Sequence, residues 1–150
     1  MKLRRRARMV VLQALYEVDS VNHDPAAVLE QRMVVHPLPP KGAAFAQSLL
    51  NGVLAYRSQL DEMIQTYAPE WPLEQMSLID RNILRIAIYE FAINGETPVK
   101  VAINEAVELA KIFGSDSSRR FINGVLGTLA TQLALPRPSK ALAQSKTKRL

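Results

Sequence analysis

The chain contains no cysteine, so it can form no disulfide, no thiolate metal site and no cysteine nucleophile. This absence suits a reducing compartment, and we expect the protein to be cytoplasmic. The sequence also lacks an apolar run long enough to cross a bilayer. Its basic N-terminus is not followed by the apolar segment of a signal peptide. We therefore expect a protein without a membrane segment.

Patterns typical of enzymes and metalloproteins are also missing. The sequence has no glycine-rich phosphate loop and no repeat of solenoid length. Its two histidines, His23 and His36, lie in predicted loops without a second ligand at metal spacing. Glu105 and Glu108 lie three residues apart on a predicted helix without a histidine, and we interpret them as an outward, solvated face. We expect no enzymatic activity, no metal site and no cofactor.

Charge is distributed unevenly along the chain. The net charge is +5, yet five basic residues lie within the first eight positions and five more within residues 135–150, so the body between them is acidic. Basic ends on an acidic body favour a polyanionic partner, of which nucleic acid is the commonest. Residues 135–150 lack helical periodicity, and we expect a basic, disordered tail. For this tail, a role in solubility alone is the favoured alternative.

Apolar periodicity predicts an all-α fold, a compact bundle of about six or seven helices. Residues 78–92 are apolar around almost the whole helix, which predicts burial on most sides. Their few polar residues are candidates for buried pairing or for a partner surface. The segment 68–76 divides an N-terminal half, 1–68, from a C-terminal half, 77–134, which we expect to share one core. Trp71 is more readily interpreted as a packing plug between the halves than as a ligand platform.

Glycines suggest three local features of the helices. Residues 41–67 form either one helix or two helices with a bend near Gly52. Gly114 is predicted to end the preceding helix as a left-handed cap. Gly124 and Gly127 lie inside a predicted helix, where glycine costs about 1 kcal/mol relative to alanine. We therefore expect a close helix crossing at these two positions.

The first predicted helix, residues 3–19, begins with a cluster of arginines. Arg4, Arg5 and Arg8 are three and four residues apart, and we place them together on the outer face. They crowd the positive end of the helix dipole, where acidic side chains would be more stabilising. We interpret them as a stripe that binds phosphates. The alternative is a solvated, fraying helix end.

The last predicted helix has a second basic start. Arg119 and Arg120 lie there beside the hydroxyls of Ser117 and Ser118 and the free N–H groups of the first turn. Such an arrangement binds anions. Phe121 follows the arginines, and its spacing fits base stacking and core packing equally well.

Four segments, in this order and spacing, resemble the NusB family of bacterial transcription antitermination factors. The resemblance covers most of the chain up to about Leu133. It implies an all-α fold of two helical subdomains, a single domain over 1–134, and a non-enzymatic RNA-binding role on the boxA element of ribosomal RNA leaders. It also implies a heterodimer with the ribosomal protein NusE, and an antitermination complex with NusA, NusG and RNA polymerase. The segments are RRRARMVVLQALYEVD at 4–19, LIDRNILRIAIYEF at 78–91, VAINEAVELAKIFG at 101–114 and SSRRFINGVL at 117–126.

The resemblance also implies roles for individual positions. Tyr16 and Asp80 match positions that face the protein partner. Three positions depart from the family pattern and leave affinity and sequence preference open. Gly127 stands where an acidic residue is common, Ser117 stands where some relatives are acidic, and Gln75 stands where a basic residue is frequent. The implied RNA-contacting residues are Lys2, Arg4, Arg5, Arg6, Arg8, Ser118, Arg119, Arg120 and Phe121.

The sequence is compatible with two other interpretations to different degrees. A NusB-like domain begins some ribosomal RNA cytosine methyltransferases, but this sequence has neither a cofactor loop nor a cysteine. A protein-only helical scaffold in ribosome biogenesis would use its basic ends for solubility and would show no RNA preference. Free homodimers that hide the RNA surface are compatible with the same fold.

Overall fold

The computed structural model describes residues 2–134, so the predicted tail at 135–150 lies outside the described residues. The described part forms seven α-helices and no strand, which confirms the all-α prediction. No helix within it is long and apolar enough to cross a membrane. The helices are α1 (Leu3–Val21), α2 (Pro25–Val35), α3 (Pro40–Ala55), α4 (Arg57–Tyr67), α5 (Leu78–Ile88), α6 (Val99–Phe113) and α7 (Ser118–Ala134), with a 3₁₀ turn at Leu73–Gln75 and a π-helical turn at Tyr89–Ile93.

Capping residues begin two of the helices. The Asp24 carboxylate accepts a hydrogen bond from the backbone N–H of Ala27 at 3.1 Å, and Pro25 is the first residue of α2. The Ser77 hydroxyl accepts one from the N–H of Asp80 at 3.0 Å, at the start of α5. Each cap satisfies a backbone donor that has no partner inside the helix. The sequence alone predicts a helix start at α2, because Asp24 is a capping residue and Pro25 suits the first helical position, and the structure confirms it.

Helix α5 lies at the centre of the bundle. Residues 82–88 are all buried, and α5 contacts α1, α4, α6 and α7. Helix α1 packs on α2 and α3 at one side, whereas α6 and α7 pack on each other at the other side. One continuous apolar cluster runs through both sides. The central position predicted for this helix is confirmed, and the division into halves stays a prediction.

A buried ion cluster joins α5 to α1 and α4. Arg85 donates to the two carboxylate oxygens of Asp61 at 2.7 and 2.9 Å, and to Asp19 at 2.9 Å. Asn82 donates to Asp19 at 2.9 Å and accepts from Arg85 at 3.0 Å, and Arg57 also pairs with Asp19. Buried arginine is tolerated where its donors are satisfied in this way. The buried pairing expected for polar residues of this helix is confirmed for Arg85 and Asn82.

The predicted bend divides α3 from α4, but it lies four residues beyond Gly52. Helix α3 ends at Ala55 and α4 begins at Arg57, with Tyr56 between them. Gly52 serves a different purpose, because a Cβ atom there would overlap the ring of Tyr89. Close approach of an aromatic ring, rather than backbone bending, therefore requires glycine at this position.

Two other expectations about glycine are wrong. Gly114 has φ −89° and extended backbone, so it is not a left-handed cap; the left-handed residue that ends a helix is Asn22, with φ 56°. Gly114 is instead covered by Ser118, whose side chain would meet an added Cβ. At Gly124 and Gly127 an added Cβ would meet nothing within 4 Å. No close helix crossing occurs at these two glycines within the described chain.

Candidate nucleic-acid interface

The five cations of the first eight residues lie in different environments. Lys2 and Arg4 are exposed, Arg5 and Arg6 are partly buried, and Arg8 is 4% exposed. They therefore do not form one solvated stripe.

Arg8 lies inside the protein, and its predicted place on the outer face is wrong. Its Nε and Nη2 groups donate to the two carboxylate oxygens of Glu90, both at 2.7 Å. Glu90 belongs to the π-helical turn after α5 and also accepts a hydrogen bond from the Thr97 hydroxyl at 2.8 Å. On α1, Arg8 lies one turn before the buried Val11 and Leu12, so its helical position faces the core. A charge there is stable because its donors meet a buried carboxylate.

Arg5 is held by a carboxylate from α6. Its Nε and Nη2 groups donate to the two oxygens of Glu105 at 3.0 and 2.8 Å. Glu105 is 8% exposed, so its expected outward orientation is wrong; Arg8 also approaches it, with Nη1 3.7 Å from Oε1. The hydrogen bond from Arg5 lowers the pKa of Glu105, and the same bond raises the pKa of Arg5. The pair joins the start of α1 to the middle of α6.

Arg4 and Arg6 make contacts that leave their charges uncompensated. The Arg4 guanidinium lies over the ring of Phe45, 4.6 Å from its centroid. The Arg6 Nη2 group donates to the carbonyl of Pro37 at 2.8 Å. Within residues 2–134, no acidic side chain forms an ion pair with Lys2, Arg4 or Arg6. These three cations therefore remain electrostatically available to a polyanion.

The start of α7 presents two exposed arginines, Arg119 and Arg120. Ser118 beside them is 1% exposed, and its hydroxyl accepts a hydrogen bond from the N–H of Ser115 at 2.9 Å. Ser118 therefore stabilises the turn before α7 rather than presenting a hydroxyl at the surface. Ser117, by contrast, is exposed.

One arginine of the first basic helix start and both arginines of the second meet in one cleft, although they lie near opposite ends of the described chain. This cleft, which we call the α6–α7 cleft, has a volume of about 800 Å³. Arg5 lines it together with both arginines of α7. The other lining residues are Asn104, Val107, Glu108, Asp116, Ser117 and Asn123.

A second depression, the tryptophan groove, lies on the other side of Arg120 and has a volume of about 680 Å³. Trp71 packs edge-on against Phe121, with ring centroids 5.5 Å apart, and remains 49% exposed. Trp71 thus contacts α7 as a plug would, but it also lines the groove. Phe121 both packs against the core and lines the groove. The exposed Gly124 lines it as well.

Of the two residues assigned to a protein partner, only Asp80 lines the tryptophan groove. One carboxylate oxygen of Asp80 is buried and has no hydrogen-bond partner among residues 2–134. Tyr16 is 44% exposed on α1 and lies outside both the groove and the cleft. The structure therefore does not bring Tyr16 and Asp80 together in either depression.

One residue that shapes the site, Thr97, carried no signal of its own in the sequence. Glu90 is among the polar residues of 78–92 that are candidates for buried pairing, and its pairing with Arg8 confirms this expectation. Thr97 donates to the same buried carboxylate, so Arg8, Glu90 and Thr97 together lie beneath the start of α1.

Comparison with known proteins identifies the family. A model described as "NusB family" matches residues 5–131. Transcription antitermination protein NusB of Dehalococcoides mccartyi (strain CBDB1) is 50% identical over 131 residues, covering 87% of this chain and 92% of the relative. The protein of the same name from Roseiflexus sp. (strain RS-1) is 48% identical over 132 residues, covering 87% and 93%.

Solved structures agree with this result. The structure of T. maritima NusB is 33% identical, with a TM-score of 0.79, over 86% of this chain and 91% of that one. A structure described as antitermination factors NusB and NusE in complex with dsRNA has a TM-score of 0.81 over 88% and 98%, and at 19% identity it shows the fold alone. On the family model, the relatives and the shared fold, this chain belongs to the NusB family.

Proposed function

We propose that this protein is an RNA-binding transcription antitermination factor that recognises boxA-type RNA of ribosomal RNA transcripts as a single strand. One observation carries the proposal: Arg120 lines both the α6–α7 cleft and the tryptophan groove, so exposed cations adjoin the exposed ring of Trp71 and the partly buried ring of Phe121. Unpaired RNA is bound by this combination, because cations neutralise phosphates while aromatic faces stack on bases. Membership of a family named for antitermination supports the role.

The contacts divide between phosphates and bases. We assign phosphate contacts to the exposed or uncompensated cations, and base stacking to Phe121 with Trp71 beside it. Arg8 and Ser118 would act as positioning residues, because both are buried and hold the elements that carry the contacts. The cations assigned to phosphates are Lys2, Arg4, Arg6, Arg119 and Arg120.

We also propose a heterodimer with a NusE-type ribosomal protein. A solved structure of the same fold is described as NusB with NusE and dsRNA, which supports such a pairing here. The half-exposed Tyr16 and the partnerless buried oxygen of Asp80 are the groups we assign to this partner. Replacing Tyr16 with Asp should weaken the heterodimer while the far-UV circular dichroism stays helical. Normal pairing by that variant would exclude Tyr16 from the interface.

A wider role is part of the same proposal. The heterodimer on boxA RNA assembles with NusA, NusG and RNA polymerase in the cytoplasm, and the protein itself catalyses no reaction. Free homodimers that cover the RNA surface are compatible with this proposal.

Fluorescence anisotropy with a labelled boxA-like strand and a scrambled strand tests the proposal, with and without the NusE-type protein. We expect a preference for the boxA-like strand that the partner increases. With five phosphate-binding cations, the plot of log K against log salt should have a slope of about −3 to −4 for a single strand. Equal affinity for both strands, unchanged by the partner, would favour a protein-only scaffold.

A matched pair of variants locates the binding surface. The double variant R119Q/R120Q should reduce the steepness of the salt dependence by about 1.4, because each phosphate contact to a single strand contributes about 0.7. The control K41Q/K100Q loses the same charge at exposed positions outside the cleft and the groove. An equal loss in both variants would show that bulk charge, rather than this surface, binds RNA.

A further inference from the structure

Arg5 is the one arginine of the first helix that lines the α6–α7 cleft, and it is also the one most completely paired at the surface. Its side chain is 27% exposed, whereas that of Glu105 is 10% exposed. Both oxygens of Glu105 accept hydrogen bonds from the same edge of the Arg5 guanidinium, at 3.0 and 2.8 Å. Planar, two-fold pairing of this kind is the strongest arrangement that arginine makes with a carboxylate.

We propose that Glu105 masks Arg5, so that this arginine adds no net charge to the RNA-binding surface although it lines the cleft. The inference rests on the proposed RNA-binding function. It makes Glu105 a residue that sets the strength and salt dependence of binding. In contrast, no acidic side chain within residues 2–134 forms an ion pair with Arg119 or Arg120 in the same cleft.

The carboxylate is not readily displaced by a phosphate. Arg8 approaches Glu105 from the interior at 3.7 Å, and Arg8 is itself held by two hydrogen bonds to Glu90. If a phosphate bound Arg5 in place of Glu105, the nearly buried Glu105 carboxylate would keep only its 3.7 Å contact with Arg8. Leaving a buried charge poorly paired is costly. The lowered pKa of Glu105 keeps the carboxylate ionised at neutral pH, so the mask is in place there.

Masking shifts the balance between two kinds of RNA contact. Phosphate contacts carry affinity without sequence information, whereas base contacts carry the sequence preference. A cleft with one arginine neutralised binds every strand less strongly through phosphates. Recognition then depends more on the aromatic groups of the tryptophan groove.

The variant Glu105→Gln tests the mask, with Glu108→Gln as its control. Glu108 also lines the cleft and carries the same charge, but it forms no hydrogen bond with Arg5. We expect E105Q to steepen the salt dependence for a scrambled single strand by about 0.7 and to tighten binding roughly fivefold at 0.1 M salt. E108Q should change binding much less. Equal effects in the two variants would overturn the proposal.

A charge-neutral replacement gives the second test. The double variant R5Q/E105Q removes both members of the pair, so a masked Arg5 predicts the wild-type slope and an affinity within about twofold of wild type. A slope flatter by about 0.7 would show that Arg5 binds a phosphate directly, and would overturn the mask. Circular dichroism checks that each variant is helical, and if E105Q fails to fold, the double variant decides alone.

Elution from a heparin column separates this inference from the proposed function, because heparin has no base sequence. E105Q should elute at higher salt than E108Q, and R5Q/E105Q should elute with the wild type. This order would support the mask even if boxA-like and scrambled strands bound equally. A boxA preference with E105Q and E108Q eluting together would retain the function and reject the mask.

Discussion

The buried pair formed by Arg8 and Glu90 should contribute strongly to the free energy of unfolding, because it fixes the start of α1 to the turn after α5. Both side chains are about 5% exposed. The Glu90 carboxylate accepts three hydrogen bonds, two from Arg8 and one from the Thr97 hydroxyl. Replacing Glu90 with Leu removes both carboxylate oxygens while keeping a side chain of similar volume. Arg8 would then keep one carboxylate contact, its 3.7 Å approach to Glu105, and its position over the Phe45 ring, 5.3 Å from the centroid.

The expected cost follows from leaving a buried guanidinium without a close partner. Removing one member of a buried pair destabilises proteins by about 3–5 kcal/mol. For a domain of this size, such a loss lowers the melting temperature by roughly 10 to 20 °C. The double variant R8M/E90L removes both charges and should recover at least half of the loss, because no unpaired charge remains.

Urea denaturation followed by far-UV circular dichroism measures the free energy of unfolding directly. The control is Glu96→Gln, because Glu96 is an exposed carboxylate a few residues further along the chain. We expect that control to change stability by less than about 0.5 kcal/mol. If E90L lost less than about 1 kcal/mol, the claim that Arg8 depends on Glu90 would be refuted.

Two further predictions use the same measurement. Gly52→Ala should lose about 1–3 kcal/mol because its methyl group would overlap the Tyr89 ring, whereas Gly124→Ala should gain up to about 1 kcal/mol because that position is open and helical. Shifts of the same sign in the urea midpoint would contradict this account. The Arg5 hydrogen bond lowers the pKa of Glu105 from its ordinary 4.5, so the pair stabilises the fold fully above about pH 5 and progressively less as the pH falls through the lowered pKa. The difference in unfolding free energy between wild type and E105Q should therefore shrink in acid, and a constant difference would argue against the ion pair.

Local chemistry allowed much of the fold to be predicted. Helix starts such as Asp24-Pro25 depend on residues within four positions, and the burial of α5 is evident from its nearly continuous apolar surface. The helix break near Gly52 was expected, but its position and the role of that glycine depend on Tyr89 from a distant segment. Contacts between residues far apart in the chain, such as Gly52 and Tyr89, cannot be predicted from the local spacing of apolar residues.

The candidate site was predictable in composition but not in arrangement. Both basic helix starts were identified from spacing and charge, whereas their meeting in one cleft depends on the packing of the whole bundle. The spacing of the arginines places Arg8 on the outer face, because it lies three and four residues after Arg5 and Arg4 on the same helix. Its carboxylate partner lies 82 residues away along the chain, and that of Arg5 lies 100 residues away. No pattern within a single helix could reveal either partner.

These separations have a consequence for how the protein is made. Helix α1 is the first helix to leave the ribosome. Its Asp19 can pair with Arg85 only after 66 more residues have been synthesised, and its Arg5 can pair with Glu105 only after 100 more. At about 5–20 residues per second, translation of 100 residues takes roughly 5 to 20 seconds. Arg8 meets Glu90 after 82 residues, whereas Arg5 remains without Glu105 until the end of that interval. The α6–α7 cleft, which also contains Arg119 and Arg120, takes its final form only after α7 has been synthesised.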